Sequence, residues 1–404
     1  MSKQQILFVD DEPLVLQGLQ RTLRPQRGEW NMVFVESGAQ ALEHMAVQPF
    51  DVIVSDMLMP MMNGAQLLKE VVRRYPATVR MVLSGHADKE LVSQCVGVAH
   101  QFISKPCDPE YLKALVKNAC QLAGGLMDVE VKQVLGTIDR LPSAPEVYLD
   151  LRDALARPEV DTRRLGAIIQ RDPGMTAKTL KLVNSAFFGM RKSVSDPQEA
   201  VAYLGIDIVR TLVLSNGIFE VSSPIPTRVF QVAEVWRHSL AVARVAKTIA
   251  QLEGLSPACQ REAYAGGILH DIGVLVLASS FPDLYDQVAE TVQVKTEPLM
   301  TAEEWVFGVS HAEVGAYLLG LWGLPASLLE IVRLHHQPLA ILGEAFSPAL
   351  AVHVADVICG GEAEDSVLFG AADFDPELLR RPWIRERLTD WRTASTAALQ
   401  QGNL

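Results

Sequence analysis

The sequence predicts an α/β domain, a doubly wound parallel sheet of five strands, followed by an all-α region. Three observations carry this. In the first third, short apolar runs alternate with helix-spaced segments, the pattern of a parallel sheet with helices on both faces. Those apolar runs end in acidic, hydroxyl or lysine residues. From about Ala144 onward, strand signals give way to 3.6-residue spacing.

Each element has a local reason. Ile6–Val9 is an apolar run ending in Asp10-Asp11-Glu12, and Pro13 suits the first turn of a helix over Leu14–Leu23. Met32–Val35 is the second strand, and Ser37 can cap a helix over Ala39–Met45. Val52-Ile53-Val54 reads as a strand buried on both faces, ending at Asp56. Pro60 and Asn63-Gly64 mark a turn before a helix over Ala65–Arg74, with Leu67, Leu68, Val71 and Val72 inward. Met81–Leu83 ends at Ser84-Gly85. Gln101–Ser104, the fifth strand, ends at Lys105-Pro106, and Asp108 can cap a last helix over Pro109–Leu122.

Ligands of open parallel sheets bind at the carboxyl ends of the strands. Asp10, Asp11, Asp56, Ser84 and Lys105 are all expected on that rim. Paired carboxylates ~4 Å apart cost about 4 kcal/mol at an effective dielectric of ~20. A hard divalent cation relieves that repulsion, and Mg2+ prefers a few carboxylates plus waters. With a lysine and a hydroxyl, the set suits receipt of a phosphoryl group. Asp56 would be the nucleophile, and Ser84 and Lys105 would hold the transferring oxygens.

These residues resemble the receiver domain of two-component response regulators, over about residues 4–123. The resemblance rests on Asp10-Asp11, on Asp56-Met57-Leu58-Met59-Pro60, on Ser84 and on Lys105-Pro106. It implies a flavodoxin-like sheet, with Asp56 phosphorylated by a sensor histidine kinase or phosphotransfer protein. It also implies Mg2+ held by Asp11, Asp56 and the Leu58 carbonyl, with Asp10 assisting through water. Phe102 matches the family's aromatic switch residue, and Lys105-Pro106 is expected to be cis, as in the family.

Residues 125–140 read as a linker helix, with apolar Leu126, Val129, Val134, Leu135 and Ile138. It either packs as a first helix on the next domain or forms a homodimer seam, although sustained heptads are absent. Helices are expected over Glu146–Leu155, Thr162–Gln170, Met175–Asn184, Pro197–Leu204 and Ile208–Asn216. The strings RDPGMTAKTLKLVNSAFFG (Arg171–Gly189), AVAYLG (Ala200–Gly205), GGILHDIG (Gly266–Gly273) and RLHHQP (Arg333–Pro338) resemble an HDOD domain, a relative of the HD phosphohydrolases. The expected layout is a receiver over 1–124, the linker helix, HDOD over 141–360 and a helical tail over 361–404. The family implies a signalling output acting through a downstream protein, with no demonstrated catalysis.

The histidines keep a second reading open. His238, His270-Asp271 and Asp356 match in order the metal ligands of the HD superfamily, and His311 and His335-His336 match positions used by two-metal members. Imidazole with carboxylate suits Fe, Mn or Zn, and a two-metal site could activate water against a phosphodiester. The alternative is leftover histidines satisfied in a core. Gln337-Pro338-Leu339 follows His336, where cyclic-di-GMP phosphodiesterases of the superfamily carry an acidic and Gly-Tyr-Pro motif. His353 and Asp356 share a helix face. His44, His86 and His100 are expected on the surface or in loops.

The bulk numbers narrow the setting. A net charge of -12 over 404 residues argues against a general nucleic-acid surface. The five cysteines form no C-x-x-C pair. The start resembles no signal peptide, and no membrane helix is expected, the longest candidate being interrupted by His270-Asp271. The cytoplasm is the expected setting. The mixed-charge tail around Pro382–Arg392 is expected to dock as an amphipathic helix on the HDOD core rather than bind nucleic acid.

Overall fold

The computed structural model describes residues 3–84, 98–123, 129–138, 141–157, 160–184, 193–214, 231–295, 297–343, 345–361, 368 and 374–400. Gly85, His86, Cys95, Gly124-Gly125, Leu126, Gly189, Asn216 and the acidic start of the tail at Glu362 lie outside them. The chain divides into two compact units, the first built mainly from Met1–Asp139 and the second mainly from the residues that follow.

The first unit is a five-stranded parallel sheet, β1 (Gln4–Val9), β2 (Trp30–Val35), β3 (Val52–Asp56), β4 (Val79–Ser84) and β5 (Gln101–Ser104), in the order β2-β1-β3-β4-β5. Helices cross over at Pro13–Thr22, Gly38–Val47 and Gly64–Arg74, and Pro109–Ala123 follows β5. Ile6, Leu7, Val52, Ile53 and Val54 have no exposure, as central strands covered on both faces must. The caps are as expected: Ser37 accepts from the Gln40 N–H, and Asp108 accepts from the Glu110 N–H at 2.8 Å. Asn63 adds a capping box with Gln66.

The helix Val129–Thr137 groups with this first unit. Arg80 on β4 is buried, and its guanidinium donates to the carbonyls of Val98 (2.7 Å), Thr78 (3.0 Å) and Pro76 (3.1 Å), and to that of Gly136 in the helix. His100 is a correction to the surface-or-loop expectation. It sits in the loop before β5 but is buried against Arg80, whose backbone N–H donates to its Nδ1 at 3.1 Å.

Every described regular element of the second unit is helical. Pro197–Leu214 holds two helices that meet, as expected, at a kink at Gly205, whose φ of 77° favours glycine. By length and composition Pro257–Ser280 is apolar enough to cross a membrane, which corrects the expectation that no such stretch exists. It is mostly buried in the fold and breaks at His270-Asp271 into Pro257–Leu269 and Ile272–Ser280. The tail helix Pro382–Gln400 packs on Val232–Leu252. Its fully buried Trp391 donates Nε1–H to Glu253 at 2.8 Å, and Arg387 donates to the same carboxylate.

Candidate functional site

Parallel pairing brings the expected polar residues of the first unit to one rim. The register aligns Val9 with Ser55, Asp56 with Leu83 and Ser84 with Ser104. Asp10, Asp56 and Ser84 are buried, and Asp11 is half-buried beside Asp10. The Lys105 ammonium lies 2.8 Å from Asp10 Oδ2 and also contacts Asp56 Oδ1. The other Asp56 oxygen accepts from the Leu58 N–H at 2.9 Å, and the Glu12 N–H donates to Asp10 at 3.0 Å. Lys105-Pro106 is cis, and Phe102 points into the core. Burial raises the Asp56 carboxyl above its ordinary value, and the Lys105 bond opposes this. Burial works against charge on Lys105, but Asp10 and Asp56 outweigh it and hold the ammonium above the usual lysine value. One lysine reaching both carboxylates brings two hard oxygen donors together, a set that fits a small divalent cation.

The second unit gathers seven expected residues from distant parts of the chain. His238 comes from Val232–Leu252, His311 opens His311–Leu321, His335-His336 follow Ala326–Leu334, and Asp356 lies in Pro348–Gly361. His270 and Asp271 occupy the break between two helices. Two glycines of GGILHDIG allow that break to seat. A β-carbon on Gly267 would fall 2.6 Å from Ala243 Cα, and one on Gly273 would collide with the His311 carbonyl. They let the His270-Asp271 corner approach the helix carrying His238 and the start of the helix carrying His311.

The donors form two groups, His238–His270–Asp356 and Asp271–His311–His335–His336, each with ligand atoms within 4.8 Å of one another. Asp271 spans both: Oδ2 lies 3.0 Å from His270 Nε2 and 3.7 Å from His238 Nε2, while Oδ1 lies 3.3 Å from His311 Nε2 and 3.6 Å from His335 Nε2. Asp356 meets His238 Nε2 at 2.9 Å and His336 at 3.5 Å. The outward nitrogens are occupied: His270 Nδ1 by the Gly267 carbonyl at 2.7 Å and His335 Nδ1 by that of Val332 at 2.8 Å. Such bonds turn the Nε2 lone pairs inward, as in metal-ligating histidines. His270 Nε2 is buried and makes no well-directed hydrogen bond, although Asp271 Oδ2 lies 3.0 Å away, an arrangement that a cation would satisfy. His336 is the exposed member and marks the solvent side.

A family model for the response regulator receiver domain matches residues 6–117, and one for the HDOD domain matches residues 141–338. The chain is a response regulator that joins a receiver domain to an HDOD domain. A protein of unassigned function from Treponema pallidum is 30% identical over 200 residues, 50% of this chain and 38% of that protein. The hydrogenase transcriptional regulatory protein HoxA of Cupriavidus necator is 38% identical over 121 residues, 30% of this chain and 24% of that protein. The chain therefore spans well under half the length of either relative. The crystal structure of the MmoQ response regulator from Methylococcus capsulatus is 25% identical, covering 63% of this chain and 98% of that one, with a TM-score of 0.48.

All seven expected HDOD residues converge, as do Asp10, Asp56 and Lys105 in the receiver. Asp356 lies beyond the span of the HDOD family model, yet it completes the first group. His353 shares the buried face of its helix but stays outside both groups, its Nδ1 on the His335 carbonyl at 2.7 Å. Two participants had escaped the sequence reading. Glu303, buried in Leu299–Phe307, faces His311 Nδ1 at 2.6 Å, and Tyr285 donates its hydroxyl to Glu303 at 2.8 Å. The only signal was an acidic residue on the apolar side of a helix eight residues before His311. Burial opposes charge on His270, but Asp271 outweighs it and holds the ring up to about 10. Burial raises the Asp271 carboxyl, and the surrounding imidazoles outweigh that and hold it well below its ordinary value. The carboxylates of Asp271 and Asp356 thus favour a proton on His270.

Proposed function

We propose that phosphorylation of Asp56 by a histidine kinase or phosphotransfer protein switches the HDOD half, which acts on a downstream signalling protein. The observation that carries this reading is the single ammonium of Lys105 lodged between Asp10 and Asp56 at the carboxyl ends of the strands. An Asp56 oxygen attacks phosphorus as the bond to the donor nitrogen breaks, and Lys105 and Ser84 take up the charge on the phosphoryl oxygens. Asp10, Asp11, Asp56 and the Leu58 carbonyl would hold Mg2+, which when bound would supply Lewis-acid neutralisation of those oxygens. Phe102 at the core edge would carry the change toward β4 and β5. The test is labelling by a small acyl phosphate: wild type is expected to gain a base-labile phosphoryl group that Asp56→Asn does not. Equal labelling of that variant would refute the assignment.

The seven-residue cluster favours a second reading, a phosphorylation-gated metal-dependent phosphohydrolase. Inward Nε2 atoms and the carboxylates of Asp271 and Asp356 suit Fe, Mn or Zn. Bound metals of this kind polarise phosphoryl oxygens and generate hydroxide from water. Purified protein is then expected to carry stoichiometric Fe, Mn or Zn, which His270→Ala loses. Wild type with none would remove this reading and leave the histidines as a buried polar network.

A further inference from the structure

Glu303 is fully buried, and among the described residues its hydrogen-bond partners lie at or behind the histidine cluster. One oxygen accepts from the His311 backbone N–H at 2.8 Å and lies 2.6 Å from His311 Nδ1. The other accepts from the Tyr285 hydroxyl at 2.8 Å. Both Glu303 oxygens already accept from other donors, so His311 Nδ1 is assigned as a further donor to that carboxylate. His311 Nε2 lies 3.3 Å from Asp271, 3.2 Å from His336 and 3.4 Å from His335.

His311 differs in this from His270 and His335, whose Nδ1 atoms rest on neutral carbonyls. A carboxylate behind an imidazole fixes its tautomer and raises its donor strength. Each group holds one carboxylate donor, Asp356 in the first and Asp271 in the second, so two dications would share two carboxylates. A second dication needs negative charge from elsewhere, and Glu303 is placed to supply it through His311.

We propose that Glu303 is a positioning residue that lets the Asp271–His311–His335–His336 group hold its own divalent ion, so that without its charge the cluster keeps one ion instead of two. Tyr285, bonded to the far oxygen, locks the carboxylate in place. The proposal rests on the metal reading above and adds a division of labour to it.

The test uses the full chain, stripped of metal and titrated with Co2+ in excess Mg2+, which occupies the receiver rim. Cobalt held by nitrogen ligands reports itself by visible absorption, and metal remaining after desalting gives the stoichiometry. Wild type is expected to bind two Co2+ in two phases. Glu303→Gln, which keeps size and an acceptor for His311, is expected to weaken the second phase ~10- to 100-fold and retain one ion. His311→Ala is expected to lose the same phase. Metal-free melting of Glu303→Gln is expected to stay near wild type, which a merely structural role would not allow. Two ions bound by Glu303→Gln with unchanged affinity would overturn the role of Glu303 while leaving the metal reading intact. Loss of both ions together with a collapsed metal-free melting transition would assign Glu303 to the fold and overturn it too. Wild type that binds no cobalt would remove the metal reading itself, and this proposal with it.

Discussion

Asp172 is fully buried at the start of the helix Pro173–Asn184, where its carboxylate accepts from the Met175 N–H at 2.7 Å and the Ala144 N–H at 2.6 Å. Burial still wins and pushes the carboxyl up to about 6. Between 3.8 and about 6 the folded protein therefore holds more protons here than the unfolded chain. The group's contribution favours folding at the acid end and is lost as pH rises through 6. The span corresponds to roughly 3 kcal/mol. Asp172→Asn is expected to be less stable than wild type near pH 4, with the gap closing toward pH 7, as read by denaturant melts across that range. A gap that does not change with pH would show the carboxyl to be ionised throughout. Asp172 was readable only as part of a family string. Its burial depends on Ala144, 28 positions away, and no local pattern reports that. Glu303 escaped for the same reason, whereas His270 and Asp271 were legible because adjacent ligands sit inside a glycine-punctuated motif.

At the scale of elements, the receiver was legible almost strand by strand, since period and punctuation agree locally there. Ser37 and Asp108 cap as their residue types suggest, and the apolar triplet of β3 is buried on both faces. The helical half was legible in kind more than in detail. The two helices read on either side of Gly205 are two helices that meet at a kink, because Gly205 takes a positive φ that interrupts the helical path. Pro257–Ser280 misleads. Its apolar composition reflects burial on all sides, the case in which helix periodicity carries no facing information. The helix Val129–Thr137 was open between two roles; it groups with the first unit, where buried Arg80 donates to its Gly136 carbonyl. A carbonyl acceptor has no sequence signature, so that contact was invisible in advance. The tail helix was legible because its aromatic and charged residues alternate as a docking face requires, and Glu253 receives both Trp391 and Arg387.

At the scale of the molecule, phosphorylation shifts an output only by the free-energy difference it makes between the states of the whole chain. Typical couplings of 1–3 kcal/mol correspond to roughly 5- to 150-fold in affinity. The two functional readings place that coupling differently. If the HDOD half is a gated hydrolase, metal-loaded protein should cleave an activated phosphodiester such as bis-p-nitrophenyl phosphate. Its rate should move at least ~5-fold on treatment with a small acyl phosphate. Asp56→Asn should keep the basal rate and lose the response, while His270→Ala should lose the rate altogether. The pair separates gating from chemistry because each substitution removes one without touching the other's residues. If cleavage is present but indifferent to the acyl phosphate, the receiver does not act through the histidine cluster. The switch must then be read by a protein that distinguishes the two phosphorylation states, because a ligand without differential affinity shifts no population however tightly it binds.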